Sequence, residues 1–302
     1  MIDNKYLSNI LKIKDLSSFD FQNIYNSIQD KHDIKNELVH DVGMKLYNFH
    51  LFEIAILFLN YNLSDFTDKS YIKYYIALAN SYWKTNNMIS AKKLYTSILK
   101  IQPIESIYHN LGVTEIELKN YDSSLNIFNH GLSVNPKNYD MLFHKSLVLL
   151  RLLKLKEGFF NYDSRLQTKT LSGTYPAVKK LPIWNGLDNC NCLLICWEQG
   201  YGDCIQFFRF IPILLNKFPN IKVTLWMKPD ISHIFIKPSN FKIVKNLPRS
   251  LDKFDYKLYL MSLPNVLDIT NITPFNSPSY INVQNNEHWK NKLSFLTKPK
   301  IG

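Results

Sequence analysis

Four series of residues run through the first half of this chain in one register, and they leave little freedom as to fold. Small residues recur at Gly43, Ala79, Gly112 and Ser146, at intervals of 36, 33 and 34. Ala55, Ala91, Ser124 and Gly158 keep those intervals, and so does the bulky series Leu59, Tyr95, Phe128 and Tyr162. Leu46, Tyr82, Glu115 and Leu149 form a fourth series, in which Glu115 is the one poor member. A generic helical bundle has no reason to hold four registers to the same spacing. A period of this size belongs to a stacked pair of antiparallel helices. Such helices approach closely only where side chains are small, and the bulky series then fills the groove between neighbouring units. Pro103 and Pro136 close two of the units, because proline lacks the N–H and clashes with the preceding turn.

The period and residue types resemble the tetratricopeptide repeat, a motif of about 34 residues. The units Ile72–Pro103 and Glu105–Pro136 match it best. Those beginning near Asn36 and Tyr139 match less well, as terminal repeats do. The expected organisation is a helical cap over residues 1–35, repeats over 36–170, a connector over 171–185 and a second domain over 186–302. The connector is punctuated by Gly173, Pro176 and Pro182.

Composition narrows the class. The chain is 46% hydrophobic with only 9 Gly and 13 Pro, which excludes a disordered or low-complexity protein. The net charge of +11 is spread along the sequence, with no run of like charges, basic helix or zinc knuckle, so a nucleic-acid partner is not expected. A diffusely basic surface still favours anionic ligands such as nucleotide-sugars or phosphorylated glycans. The N-terminus lacks the pattern of a signal peptide, and no segment reaches the roughly 18 apolar residues of a membrane span, so the expectation is a cytoplasmic protein. Cys190, Cys192, Cys196 and Cys204 lie close together, but their spacing fits a zinc site poorly, and no metal or cofactor is expected. Cys196 sits in an apolar run and reads as a small buried hydrophobe.

After about Gln167 the periodicity changes. Leu193–Trp197 reads as a buried parallel strand, Gly200–Asp203 as a tight turn, and Cys204–Phe218 as a helix bent at Pro212. Val223–Met227, Phe241–Val244 and Tyr256–Leu260 read as further strands, with a short helical piece around Asp230–Ile236 and a helix over Glu287–Leu296. Strand, glycine turn, helix and strand imply an α/β layer. A dinucleotide fingerprint would need a third glycine where Ile205 stands, and no phosphate loop occurs.

Two longer strings are more specific. Pro182-Ile183-Trp184-Asn185-Gly186 precedes Glu198-Gln199-Gly200-Tyr201-Gly202-Asp203-Cys204-Ile205-Gln206-Phe207-Phe208-Arg209, and Met261-Ser262-Leu263-Pro264 follows later. These strings resemble bacterial tetratricopeptide-repeat proteins that carry a glycosyltransferase family 9-like domain, related to lipopolysaccharide heptosyltransferases. The resemblance implies an α plus α/β protein: a repeat solenoid, then one Rossmann-like half of a GT-B fold. It implies inverting transfer from a nucleotide-sugar, with Asp203 as general base. Glu198, Gln199, Gly200, Gly202, Gln206, Arg209 and Ser262 would orient the acceptor or hold the loop. The solenoid would present a polypeptide or glycan acceptor. The nucleotide-sugar would sit in a C-terminal half that is expected to begin at Lys300-Ile301-Gly302, so the chain reads as a fragment, a split enzyme or a short form.

Other readings of the same residues stand beside these. Asp203 is also a natural helix N-cap. Glu198 is a natural partner for Arg209, Gln206 a supporting hydrogen-bonding residue, and Ser262 a turn residue. His233 and His288 read as isolated structural residues. The alternative function is a non-catalytic interaction scaffold that binds peptides in the groove of its repeats.

Overall fold

In a computed structural model of the chain, the described residues are 2–13, 20–29, 31, 33–63, 69–168, 178–198, 200–227, 229–236, 240–273, 280–281, 287–292 and 294. The chain divides into two compact units, Met1–Leu152 and Leu153–Gly302. The first is all helical: α1 (Asn4–Lys12), α2 (Phe21–Ile28), α3 (Asn36–Asn48), α4 (Phe52–Leu59), α5 (Ile72–Lys84), α6 (Met88–Ile101), α7 (Glu105–Glu117), α8 (Tyr121–Val134) and α9 (Tyr139–Arg151). The expected repeat segment ran on to residue 170, whereas α10 (Leu155–Tyr162) falls in the second unit.

The pairs α3/α4, α5/α6 and α7/α8 are joined by one device. His50, Asn86 and Lys119 adopt left-handed backbone, with φ of 63°, 62° and 62°. Their N–H groups donate to the carbonyls of Tyr47, Trp83 and Ile116. The next residues, Leu51, Asn87 and Asn120, donate back to Leu46, Tyr82 and Glu115. This is the Schellman ending, which satisfies orphan carbonyls and reverses the chain. Asn87 then accepts from Ser90 N–H and so caps the following helix.

The small-residue series is where paired helices meet. A Cβ on Gly43 would lie 2.8 Å from Leu59 Cγ, and one on Gly112 would lie 2.3 Å from the Phe128 ring. The bulky residue therefore fills space within its own pair first, and Phe128 also reaches His144 on α9. Ser124 closes the same contact by donating to the Gly112 carbonyl at 2.9 Å. Glu115 is buried at a position that is apolar in the other repeats. Its carboxylate takes Lys92 Nζ at 2.9 Å, Asn120 Nδ2 at 2.8 Å and Ser123 Oγ at 2.9 Å, so the buried charge is fully met.

The second unit is built on four parallel strands, β1 (Cys192–Cys196), β2 (Lys222–Trp226), β3 (Phe241–Val244) and β4 (Tyr256–Tyr259), in the order β3-β2-β1-β4. β1 is central and almost wholly buried, as its unbroken apolar run requires. Between β1 and β2 the expected bent helix is two helices, α11 (Tyr201–Phe208) and α12 (Phe210–Lys217). The break falls at Arg209 rather than at Pro212, because a proline ring clashes with the carbonyl four residues back, here that of Phe208. Phe208 of α11 stacks on Phe235 at 3.9 Å and meets Phe241 of β3 edge-on. The expected helical piece near Asp230 is a 3-10 turn over Pro229–Ile234. α13 (Leu263–Val266) follows β4, and α14 (Glu287–Lys292) comes later.

The Pro-x-Trp-x-Gly string extends this sheet. Trp184 N–H donates to the Lys257 carbonyl, and Lys257 N–H donates to that of Pro182. The Trp184 ring is buried and packs edge-on against Phe218 at 5.0 Å. Asn185 Oδ1 accepts from the N–H groups of Leu187 and Asp188, an Asx turn. Gly186 has φ of +80°, and a Cβ there would meet Val266 at 2.7 Å. Gly173, Pro176 and the terminal Lys300-Ile301-Gly302 lie outside the described residues.

Candidate functional site

In the first unit a cavity of about 360 Å³ opens along the first helices of successive pairs, α3, α5, α7 and α9. The stacking places residues of equivalent repeat position side by side: Tyr47 and Trp83 are 36 apart, Asn110 and His144 are 34 apart, and all four line it. Its polar groups form a chain. Asn80 Nδ2 donates to Tyr47 Oη at 3.1 Å, and Asn80 Oδ1 accepts from Tyr95 Oη at 2.7 Å and Asn110 Nδ2 at 3.2 Å. Asn110 Oδ1 lies 3.4 Å from His109 Nδ1, and His109 Nε2 lies 3.2 Å from His144 Nδ1. Trp83, Lys84 and Val113 complete the wall. Burial holds the His109 pKa below its ordinary value, and the neighbouring His144 reinforces this. Burial also pushes the Tyr95 phenol upward, so it remains a donor at neutral pH. These side chains are not among the site residues expected from the sequence. Their signal was polar residues recurring at repeat positions on the first helix of each pair.

In the second unit the strand order reverses beside β1, since β2 and β3 lie to one side of it and β4 to the other. Open α/β sheets bind ligands at the carboxyl ends of the strands flanking such a point. Here that place is filled from within the unit by Arg165, which is 0% exposed. Its guanidinium grips Glu198 bidentately, with Nε at 3.1 Å from Oε2 and an Nη at 2.5 Å from Oε1. It also donates to Ser262 Oγ at 3.0 Å and to Asp163 Oδ1 at 2.7 Å. Ser262 in turn donates to Asp163, and Glu198 accepts from Met261 N–H at 3.1 Å. Burial alone would lower the Arg165 pKa, but Glu198 and Asp163 overcome it and hold it above the ordinary value.

The expected site residues are therefore dispersed. Glu198 and Ser262 are buried and share Arg165, so the expected pairing of Glu198 with Arg209 gives way to a closer guanidinium. Arg209 instead lies over the Tyr280 ring and donates to its hydroxyl at 3.2 Å. Gln206 is exposed on α11, and its carbonyl accepts from Arg209 Nε. The expected Gly200–Asp203 turn is the start of α11 itself. Gly200 is the N-cap, and half-buried Asp203 accepts from Gly200 N–H at 3.1 Å. Asp203 thus closes the first helical turn from its third position and is not the N-cap. Gly200 has an ordinary φ of −91°, and a Cβ on Gly202 would meet nothing within 4 Å. Gln199 lies outside the described residues.

Other candidates are placed as follows. Cys196 lies on β1 and Cys204 on α11, both buried, with burial pushing each thiol up to about 12. Among the described residues no group of three or more His, Cys, Asp or Glu is placed to hold a metal ion. His233 is exposed, and the side chain of His288 is not described. No helix among the described residues is long and apolar enough to cross a membrane.

Three kinds of likeness to known proteins bear on the chain. The tetratricopeptide repeat family matches residues 72–105 and 105–138. The Hsp70/Hsp90 co-chaperone CNS1 of Saccharomyces cerevisiae is 31% identical over 84 residues, 26% of this chain. That match spans only 22% of the co-chaperone's own length. Two solved structures of MamA align with TM-scores of 0.46 and 0.43, each at 15% identity, over 57% and 52% of this chain and 95% and 92% of theirs. The family match thus shows two tetratricopeptide repeats in the first unit, over residues 72–105 and 105–138.

Proposed function

We propose that the first unit binds an extended polypeptide segment in the groove lined by α3, α5, α7 and α9, and that the protein serves as an interaction scaffold. The observation that carries this is the cavity itself. It is open, is built from consecutive repeats, and is floored by amides, phenols and imidazoles that already satisfy one another. Repeat solenoids present extended surfaces of this kind to partners, and the co-chaperone relative is a protein that works with other proteins by its printed name. Photo-crosslinking of the full chain tests the proposal. A benzophenone side chain replacing Val113 in the groove should give polypeptide adducts, whereas one replacing exposed Ile89 on α6 should not. Equal labelling from both positions would overturn the groove assignment.

A second reading has its own support. A parallel sheet followed by a helix that carries half-buried Asp203 in its first turn is a scaffold on which a carboxylate can take a proton from an attacking hydroxyl. On this reading the second unit is the acceptor half of an inverting glycosyltransferase, and a nucleotide-sugar is bound by a further half. In a preparation with measurable sugar transfer, Asp203→Asn should lower turnover by at least about 10²-fold, the span general-base removal normally produces. Unchanged turnover would remove Asp203 from the reaction.

A further inference from the structure

The two imidazoles in the groove do something the amides beside them do not. His144 Nδ1 lies 2.8 Å from the carbonyl of Asp140, which only accepts, so that nitrogen carries the hydrogen. The 3.2 Å contact with His109 Nε2 then requires a lone pair on His109 Nε2, which leaves the His109 hydrogen on Nδ1, facing Asn110 Oδ1. On this assignment the His144 Nδ1–H is shared between the Asp140 carbonyl and His109 Nε2, and both rings carry their hydrogen on Nδ1. The bond joins α7 to α9 across one repeat boundary and sits at the end of the chain leading through Asn110 and Asn80 to Tyr47.

We infer that the His109–His144 pair is a pH-operated catch between α7 and α9 in the groove wall, closed while His109 Nε2 keeps its lone pair and opened by a proton there. That proton takes up the lone pair the bond depends on and sets two N–H groups against each other at 3.2 Å. The groups around the pair set the balance. Glu105 on α7 and Asp140 on α9 line the adjoining depression and favour the charged form. From α8, Phe128 packs against both rings at 6.5 Å and favours the neutral form. Lys84 on α5 lines the same cavity and opposes added positive charge, while α3 and α6 contribute Tyr47 and Tyr95 to the lining. Opening the catch alters the wall of the cavity, so groove binding becomes sensitive to pH below about 6.5, where imidazoles begin to charge.

The inference names the regulation of the proposed groove and rests on that reading, but its test needs no partner. Imidazole ¹⁵N–¹H NMR of the full chain should show both rings as Nδ1–H tautomers at pH 8, with His109 titrating below 6.5. In His144→Phe the donor to His109 Nε2 is gone, and the His109 midpoint should rise toward 6.5. In His144→Gln an amide N–H replaces the donor, and the midpoint should stay low. An Nε2–H tautomer at His109, or a midpoint that ignores both substitutions, would overturn the catch. Should His144→Phe fail to fold, the tautomer and His144→Gln decide alone. Failure here with groove crosslinking intact leaves the polypeptide reading standing.

Discussion

Arg165 shows how one residue can reassign others. Read along the sequence, Glu198 and Ser262 look like polar groups at strand ends, available to a substrate. In the folded unit both are spent on a guanidinium that lies 33 and 97 residues away from them. No local pattern announces such a partner, because the contact exists only once α10, β1 and β4 are assembled. Burying Arg165 and Glu198, at 0% and 1% exposure, is tolerable because nearly every donor is matched. Arg165→Met leaves the Glu198 charge with the Met261 N–H as its remaining named donor. It should destabilise the second unit by about 3–5 kcal/mol, the usual cost of orphaning a buried charge. Arg165→Met with Glu198→Leu should recover at least half of that, because the orphan is removed as well. Guanidinium titrations followed by near-ultraviolet circular dichroism would separate the two. Equal losses in the single and double variants would mean that packing, and not charge, dominates.

At the scale of elements, what was legible is what repeats or what is locally periodic. Four registers at 36, 33 and 34 placed the paired helices, and the structure adds a fifth series in the same step: the left-handed residues His50, Asn86 and Lys119. None is glycine, so the turn left no compositional mark, although each pair reverses through it. The strand β3 coincides with its expected span, and β1, β2 and β4 differ from theirs by single residues at the ends, where assignment is soft anyway. The two misplacements have separate causes. Gly200 and Gly202 suggested a turn, but with a Gly200 φ of −91° and Asp203 answering the Gly200 N–H, a helix begins there instead. The break in the long helix came early because proline acts on the carbonyl four residues behind it. The groove is hidden in the sequence for a third reason. Asn80, Asn110, His109 and His144 are ordinary surface residues within any single helix and become a site only when neighbouring repeats stack.

For the molecule as a whole, the net charge of +11 says less about stability than do a few buried groups that cannot change their charge freely. His40 is 0% exposed. Its Nε2–H donates to the Tyr61 carbonyl at 2.7 Å, which leaves Nδ1 buried without a partner among the described residues. Burial is the main cause of a pKa below 6.5, outweighing the Tyr61 bond and the charges of Asp41 and Glu37. His109 is held low in the same way. A histidine depressed in the folded state leaves the unfolded chain binding more protons below pH 6.5. Stability is therefore fully present above that value and is lost as pH falls through it toward the folded pKa. Glu115 adds a separate loss at lower pH. Its folded pKa lies below the ordinary 4.5, because Asn120, Lys92 and Ser123 overcome the effect of burial, so its contribution fades only as pH drops through that region. The melting temperature of the helical signal should therefore fall as pH drops below about 6.5, and fall further once Glu115 begins to protonate. His40→Gln supplies an N–H for the Tyr61 carbonyl without a titrating ring, so it should flatten the upper part of this curve. Each unit of pKa depression removed is worth about 1.4 kcal/mol at the acid end. Parallel melting curves for the two proteins across that window would show that the buried ring is not what makes the repeats acid-sensitive.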